Sequence, residues 1–134
     1  MDKTKVLIVD DEVDYIILMR EYIEHWGYQV ASANSGKEAL SRIQEECPDI
    51  VILDYLMPEM NGVTVLKEIR KFNPQLEVIM FTAHPDIKNI KGAQELGVTF
   101  FVPKLNDDAL NIQGSLRAAL DMAQKKIGKH KGRD

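Results

Sequence analysis

Five residues, Ile50-Val51-Ile52-Leu53-Asp54, constrain this chain more than any other stretch. Four apolar, mostly β-branched side chains run straight into one carboxylate. A short unbroken apolar run of this kind suits a strand buried on both faces, as in a parallel sheet. The loop Tyr55-Leu56-Met57-Pro58-Glu59-Met60-Asn61-Gly62 follows at once. Asp54 therefore falls at the carboxyl end of a strand, where open α/β sheets place their ligands.

The same grammar repeats along the chain. Lys5 to Val9 reads as a first buried strand, closed by Asp10-Asp11-Glu12. Val13 to Trp26 has helical periodicity, with Ile16, Ile17, Leu18, Met19, Tyr22 and Ile23 on its apolar face and Gly27 as its stop. Tyr28 to Ala33 is a second strand. Ser35-Gly36-Lys37-Glu38 matches a capping box, with Glu38 reaching back, and the helix it opens runs to about Glu46 before Pro48. Asn61 caps a third helix, Gly62 to about Lys71. Strand four spans Glu77 to Phe81. Pro85 and Asp86 suit the first turn of a fourth helix that stops at Gly97. Strand five spans Val98 to Val102, and Asn106-Asp107-Asp108 open a last helix with an apolar stripe of Leu110, Leu116, Leu120, Ala123 and Ile127. Strands alternating with helices predict an α/β fold, doubly wound, with helices on both faces of a five-stranded parallel sheet.

Chemistry-bearing residues gather at the strand ends. Strand one delivers Asp10 and Asp11, strand three Asp54, strand four Thr82 and strand five Lys104. Parallel strands end on one side, so these five are expected to converge. Carboxylates held close repel, and a hard divalent cation with oxygen ligands offsets the repulsion; Mg²⁺ (or Mn²⁺) takes one or two carboxylates, waters and a phosphate. A lysine and a hydroxyl beside such a cation match the oxygens of a phosphoryl group. An aspartate there can be the nucleophile that becomes an acyl phosphate. Taken singly, Asp11 or Glu12 could be no more than a helix cap, Thr82 a turn residue and Lys104 a surface lysine. The coincidence at four of five strand ends carries the reading.

Charge separates the chain into two parts. The last eleven residues hold four lysines and Arg133 against Asp134, a net +4, which leaves −8 on residues 1–123. A body this acidic does not bind nucleic acid by its own field. The division predicts one domain over 1–123, with 124–134 as a basic tail or the start of a linker. No apolar run reaches the ~18 residues of a membrane span, and Asp10 and Asp11 interrupt the first apolar run too early for a secretory signal. With a single cysteine, Cys47, the chain forms no internal disulfide and fits a cytoplasmic location.

These motifs together resemble the receiver domain of a two-component response regulator. The likeness rests on Val-Leu-Ile-Val-Asp10-Asp11-Glu12, Ile-Val-Ile-Leu-Asp54-Tyr-Leu-Met-Pro58-Glu-Met-Asn-Gly62, Met-Phe-Thr82-Ala83 and Phe101-Val-Pro-Lys104, in order and spacing, over about residues 4–123. It implies a flavodoxin-like sheet of order 2-1-3-4-5. It implies that Asp54 is the phospho-acceptor, that Asp10, Asp11, Asp54 and the Leu56 backbone carbonyl hold Mg²⁺, and that Thr82 and Lys104 contact the phosphoryl group. Thr82 and Phe101 would form the switch, while Phe100 faces the other side of its strand. The phosphoryl donor would be a sensor histidine kinase or phosphotransfer protein. Output would pass to an output domain or downstream protein through the face made by the fourth helix, fifth strand and fifth helix, around Ile87, Ile90 and Gln113. Such a domain is a signalling acceptor with slow self-dephosphorylation, not an enzyme.

Two features depart from the family pattern. Receivers usually carry Lys-Pro at the end of strand five, whereas this chain has Pro103-Lys104-Leu105. A cis bond before a non-proline residue costs about 3 kcal/mol, so a trans Lys104–Leu105 bond is expected. Leu56 and His84 occupy the two positions expected to modulate phosphoryl lifetime, and Leu56 offers no polar group to position an attacking water. Three other functions compete. A haloacid-dehalogenase-type hydrolase needs a second aspartate where Leu56 stands. A flavodoxin-like cofactor binder needs a phosphate-cradling loop where Asp10-Asp11-Glu12 would repel a phosphate. A receiver-shaped module acting without phosphorylation keeps the fold and leaves Asp54 silent.

Overall fold

The strand ending in Asp54 is the centre of the sheet. In the computed structural model, which describes residues 3–82, 87–103 and 109–131, Ile50–Asp54 forms β3, and all five of its residues are buried. It is flanked by β1 (Lys5–Val9) and β4 (Glu77–Thr82), with β2 (Gln29–Ala33) and β5 (Phe100–Pro103) at the edges. Every pairing is parallel and the order is β2-β1-β3-β4-β5. The three inner strands are the most apolar because helices cover both of their faces.

The helices are α1 (Val13–His25), α2 (Gly36–Glu46), α3 (Gly62–Phe72), α4 (Ile87–Glu95) and α5 (Ala109–Lys131). Side chains alternate across the sheet into two cores. Ile8, Ile52, Ile79, Phe81 and Val102 pack with Ile16, Met19 and Ile23 of α1 and Leu116, Leu120 and Ala123 of α5. Leu7, Val9, Leu53, Val78 and Met80 pack with α2, α3 and Ala93 of α4. That period-two division is what a sheet covered on both faces requires.

Local capping follows the sequence closely. The Ser35 hydroxyl accepts from the Glu38 amide at 3.1 Å, and Asn61 Oδ1 accepts from the Thr64 amide at 2.9 Å. The Glu38 carboxylate reaches back one residue farther than a capping box places it, to the Asn34 amide at 3.4 Å. Cys47 closes α2 in the left-handed region, φ 49°, and is exposed.

Three elements differ from expectation. Ile17 is 54% exposed, because it turns away from the seam in which Ile16, Met19 and Ile23 are buried against the sheet. Strand five begins two residues late, at Phe100, because the Val98 amide is taken up by Ala93 O in the turn after α4, and Thr99 leads from that turn onto β4. Strand four instead extends through Thr82. Helix α5 runs without a break past residue 123 to Lys131, since Ile127 continues the apolar stripe onto the core and Gln124 bonds Thr4 at 2.8 Å. The proposed first turns at Pro85-Asp86 and Asn106-Asp107-Asp108 lie outside the described residues. So does the side chain of Leu110.

Candidate functional site

Strand register levels the site residues. Val9 pairs with Leu53 and Asp54 pairs with Phe81, so Asp10 and Asp54 stand at the same height on adjacent strands, with Thr82 one step beyond. Adjacent strands lie about 5 Å apart. Asp10 and Asp54 also fall on the same face by alternation, that of Ile8 and Ile52. Asp10 is 0% exposed, Asp54 3% and Thr82 0%, and each takes part in polar or electrostatic contacts. Carboxylates brought together in this way repel one another when both are charged, and positive charge offsets that repulsion.

Asp10 is fixed from two sides. Its amide donates to Ala33 O at 3.1 Å, and its Oδ1 accepts from the Glu12 amide at 2.9 Å. That second bond folds the chain so that the carboxylates of Asp10, Asp11 and Glu12 lie within 4.8 Å of one another, one buried and two exposed. By sequence Glu12 reads most simply as a helix cap. It is the N-cap of α1, yet its side chain makes no capping hydrogen bond and joins the acidic group instead. Carboxylate oxygens without histidine or cysteine suit a hard divalent cation such as Mg²⁺ or Mn²⁺. Asp54 is not part of that group; it faces it from the neighbouring strand.

The loop after Asp54 is held tightly. The Tyr55 amide donates to Phe81 O at 3.3 Å, and the Gly62 amide donates to Tyr55 O at 2.8 Å. Gly62 approaches so closely that a Cβ there would lie 2.6 Å from Asp54 O. Within the loop the Met60 amide bonds Pro58 O at 2.7 Å around Glu59, whose φ is 70°. This three-residue turn with positive φ is the strained form. Glu59 is exposed. Glu59→Gly is therefore expected to stabilise the fold by about 1 kcal/mol. A higher urea midpoint at unchanged slope checks this; a lower midpoint contradicts it.

Leu56 is 48% exposed beside the acceptor. Phe101 pairs with Met80 and is half-buried on the α2–α3–α4 face, while Phe100 is half-buried on the α1–α5 face. Thr82 shares the face of Met80 and hence of Phe101, one alternation step away on the adjacent strand. Phe100, expected on the opposite side, is there but is not fully buried. Lys104, His84 and the Lys104–Leu105 bond lie outside the described residues, as does the side chain of Ile87; Ile90 and Gln113 are half-buried.

Residues 6–114 match the family described as response regulator receiver domain. Sporulation initiation phosphotransferase F of Bacillus subtilis is 35% identical over 111 residues, which cover 82% of this chain and 90% of that protein. The transcriptional regulatory protein ZraR of Escherichia coli K12 is 35% identical over 120 residues, 89% of this chain but 27% of the regulator, so the chain spans about a quarter of that relative. A receiver domain protein of Clostridium thermocellum superposes with TM-score 0.77 at 31% identity, covering 92% of this chain and 98% of that one. The fold is also that of a CheY-like receiver from Methanospirillum hungatei, with TM-score 0.81 at 24% identity over 93% and 99% of the two chains. Among the described residues no helix is long and apolar enough to cross a membrane.

Proposed function

The chain belongs to the response regulator receiver domain family, and on that premise we propose that Asp54 is its phospho-acceptor. The observation that carries the reading is the pair of buried carboxylates, Asp10 and Asp54, level on adjacent strands beside the acidic group, with Thr82 one register step beyond on β4. A carboxylate oxygen of Asp54 attacks the phosphorus of a phosphohistidine on a kinase or phosphotransfer protein. The P–N bond breaks as the acyl P–O bond forms, and the imidazole leaves with the electron pair and takes a proton. Asp10 and Asp11, with the Leu56 carbonyl, would hold Mg²⁺ (or Mn²⁺). When bound, that ion supplies positive charge to the carboxylates and phosphoryl oxygens.

Phosphorylation adds about −1.5 to −2 charges and three acceptor oxygens. Thr82 donates to one of them, and Lys104 pairs with another. A Thr82 drawn toward the phosphoryl group leaves space on the face it shares with Phe101. The change would be read on the α4–β5–α5 surface by an output domain or downstream protein. The domain acts as a switch with slow self-dephosphorylation.

Leu56 sets how slow. Its exposed apolar side chain gives an attacking water no hydrogen bond. Leu56→Asn is expected to speed decay of the phospho-form by about tenfold, a small part of what a fully placed proton acceptor contributes. An unchanged half-life in the variant contradicts that role. The reading as a whole is tested by beryllofluoride with Mg²⁺, followed by amide NMR. Shift changes spreading from Asp54 through Thr82 to Phe101, absent in Asp54→Ala, support it. Mg²⁺ binding with no spread of changes points instead to a module that works without phosphorylation.

A further inference from the structure

Arg70, in the last turn of α3, holds two separate segments with one side chain. Its Nε donates to Leu96 O at 2.7 Å and its Nη2 to Gly97 O at 3.2 Å. Its Nη1 donates to Leu76 O at 2.8 Å and Asn73 O at 3.1 Å. Leu96 and Gly97 follow directly on α4, where helical carbonyls run out of intrahelical partners. Asn73 and Leu76 bracket the connection from α3 to β4. The planar guanidinium fork serves all four carbonyls at once; a lysine ammonium has no such fixed fork.

Other contacts fix the same end of α4. Ala93 is fully buried, the Gly97 amide bonds Gln94 O at 3.0 Å, and the Val98 amide bonds Ala93 O at 3.1 Å. Thr99 donates its amide to Val78 O at 2.7 Å and its hydroxyl to Glu77 Oε1 at 3.1 Å. Burial lowers the Arg70 pKa and the nearby Glu77 carboxylate raises it in part, which keeps the fork beside a compensating charge. The opposite end of α4 begins at Ile87, only five positions after Thr82 of the site. One end of the helix is therefore joined to the site and the other is pinned at the far edge of the sheet.

We propose that Arg70 is the anchor of the switch: displacement arising at the acceptor turns α4 about its Leu96–Gly97 end instead of sliding the whole helix. The proposal rests on the phospho-switch reading. It makes the Ile87 end a lever tip about 13 Å from the pivot, nine residues at 1.5 Å each. Movement is then greatest where α4 meets the site and least where it meets Arg70.

The test compares the full chain with Arg70→Met, which keeps aliphatic packing, and Arg70→Lys, which keeps the charge. Each is followed by amide NMR with and without beryllofluoride and Mg²⁺. In the parent, activation is expected to shift residues 87–91 several-fold more than residues 94–98. In both variants the activation-dependent shifts at 94–98 rise to match those at 87–91. Variants that keep the parent's gradient overturn the anchor. So do variants whose 94–98 segment loosens equally with and without beryllofluoride, which is what a purely stabilising arginine would give. Parent shifts as large at 94–98 as at 87–91 overturn the anchor alone. A parent with no response at all overturns the phospho-switch reading and the anchor with it. Should Arg70→Met fail to fold, the Arg70→Lys comparison decides.

Discussion

Phosphoryl uptake from a small donor such as acetyl phosphate is expected to fall by more than about 1,000-fold in Asp54→Asn, the scale commonly seen when a nucleophile is removed. The substitution keeps shape and burial but removes the attacking oxygen's charge. Asp54 is 3% exposed and ends a strand whose every residue is buried, so its carboxylate is held in place by the sheet. Asp10, level with it on β1, is fully buried and already fixed by the Glu12 amide. The fold itself is expected to survive, because removing one of two facing negative charges relieves repulsion. Uptake is measured by intact mass after a fixed exposure to donor and Mg²⁺. Uptake in Asp54→Asn within a few-fold of the parent would remove Asp54 from the mechanism.

Gly62→Ala is expected to produce the largest loss of stability among single-methyl changes near the site, about 2–3 kcal/mol, or roughly 10 °C in Tm. The added Cβ would meet Asp54 O at 2.6 Å and Tyr55 Cα at 2.9 Å, both backbone atoms with no side-chain torsion to turn away. The Gly62 amide also bonds Tyr55 O at 2.8 Å, which ties the start of α3 to the acceptor's own loop. Relief of the clash must therefore displace either α3 or the backbone that aims Asp54. Phosphoryl uptake should fall together with stability, even well below Tm. A denaturation midpoint within experimental error of the parent would show that the loop gives way freely and that Gly62 does not position the acceptor.

The sheet was legible because its strands are short apolar runs that end in turn residues, and its order follows from the family likeness. Asp10, Asp54 and Thr82 were legible as a group because parallel strands bring their ends to one edge. Glu12 was missed as a member of the acidic group, since an acid before a helix reads as a cap. Ile17 falls within the broad apolar stripe that helical periodicity marks, but the residues of α1 that become fully buried are Ile16, Met19 and Ile23. Ile127 was legible on the stripe of Leu116, Leu120 and Ala123, and it packs against the same core despite the basic composition around it. Arg70 could not be read at all. Its partners are carbonyls, which every residue has, and Leu96 and Gly97 lie more than twenty-five positions away.

The central claim is that Asp54 accepts a phosphoryl group in a metal-dependent reaction. The most direct measurement is the intact mass of the chain after incubation with acetyl phosphate and Mg²⁺, followed by borohydride reduction of the acyl phosphate and peptide mapping. The account predicts one added phosphoryl group per chain, mapped to Asp54 and lost when a chelator removes the metal. A chain that stays unmodified, or takes up phosphate at another residue without metal, would contradict it.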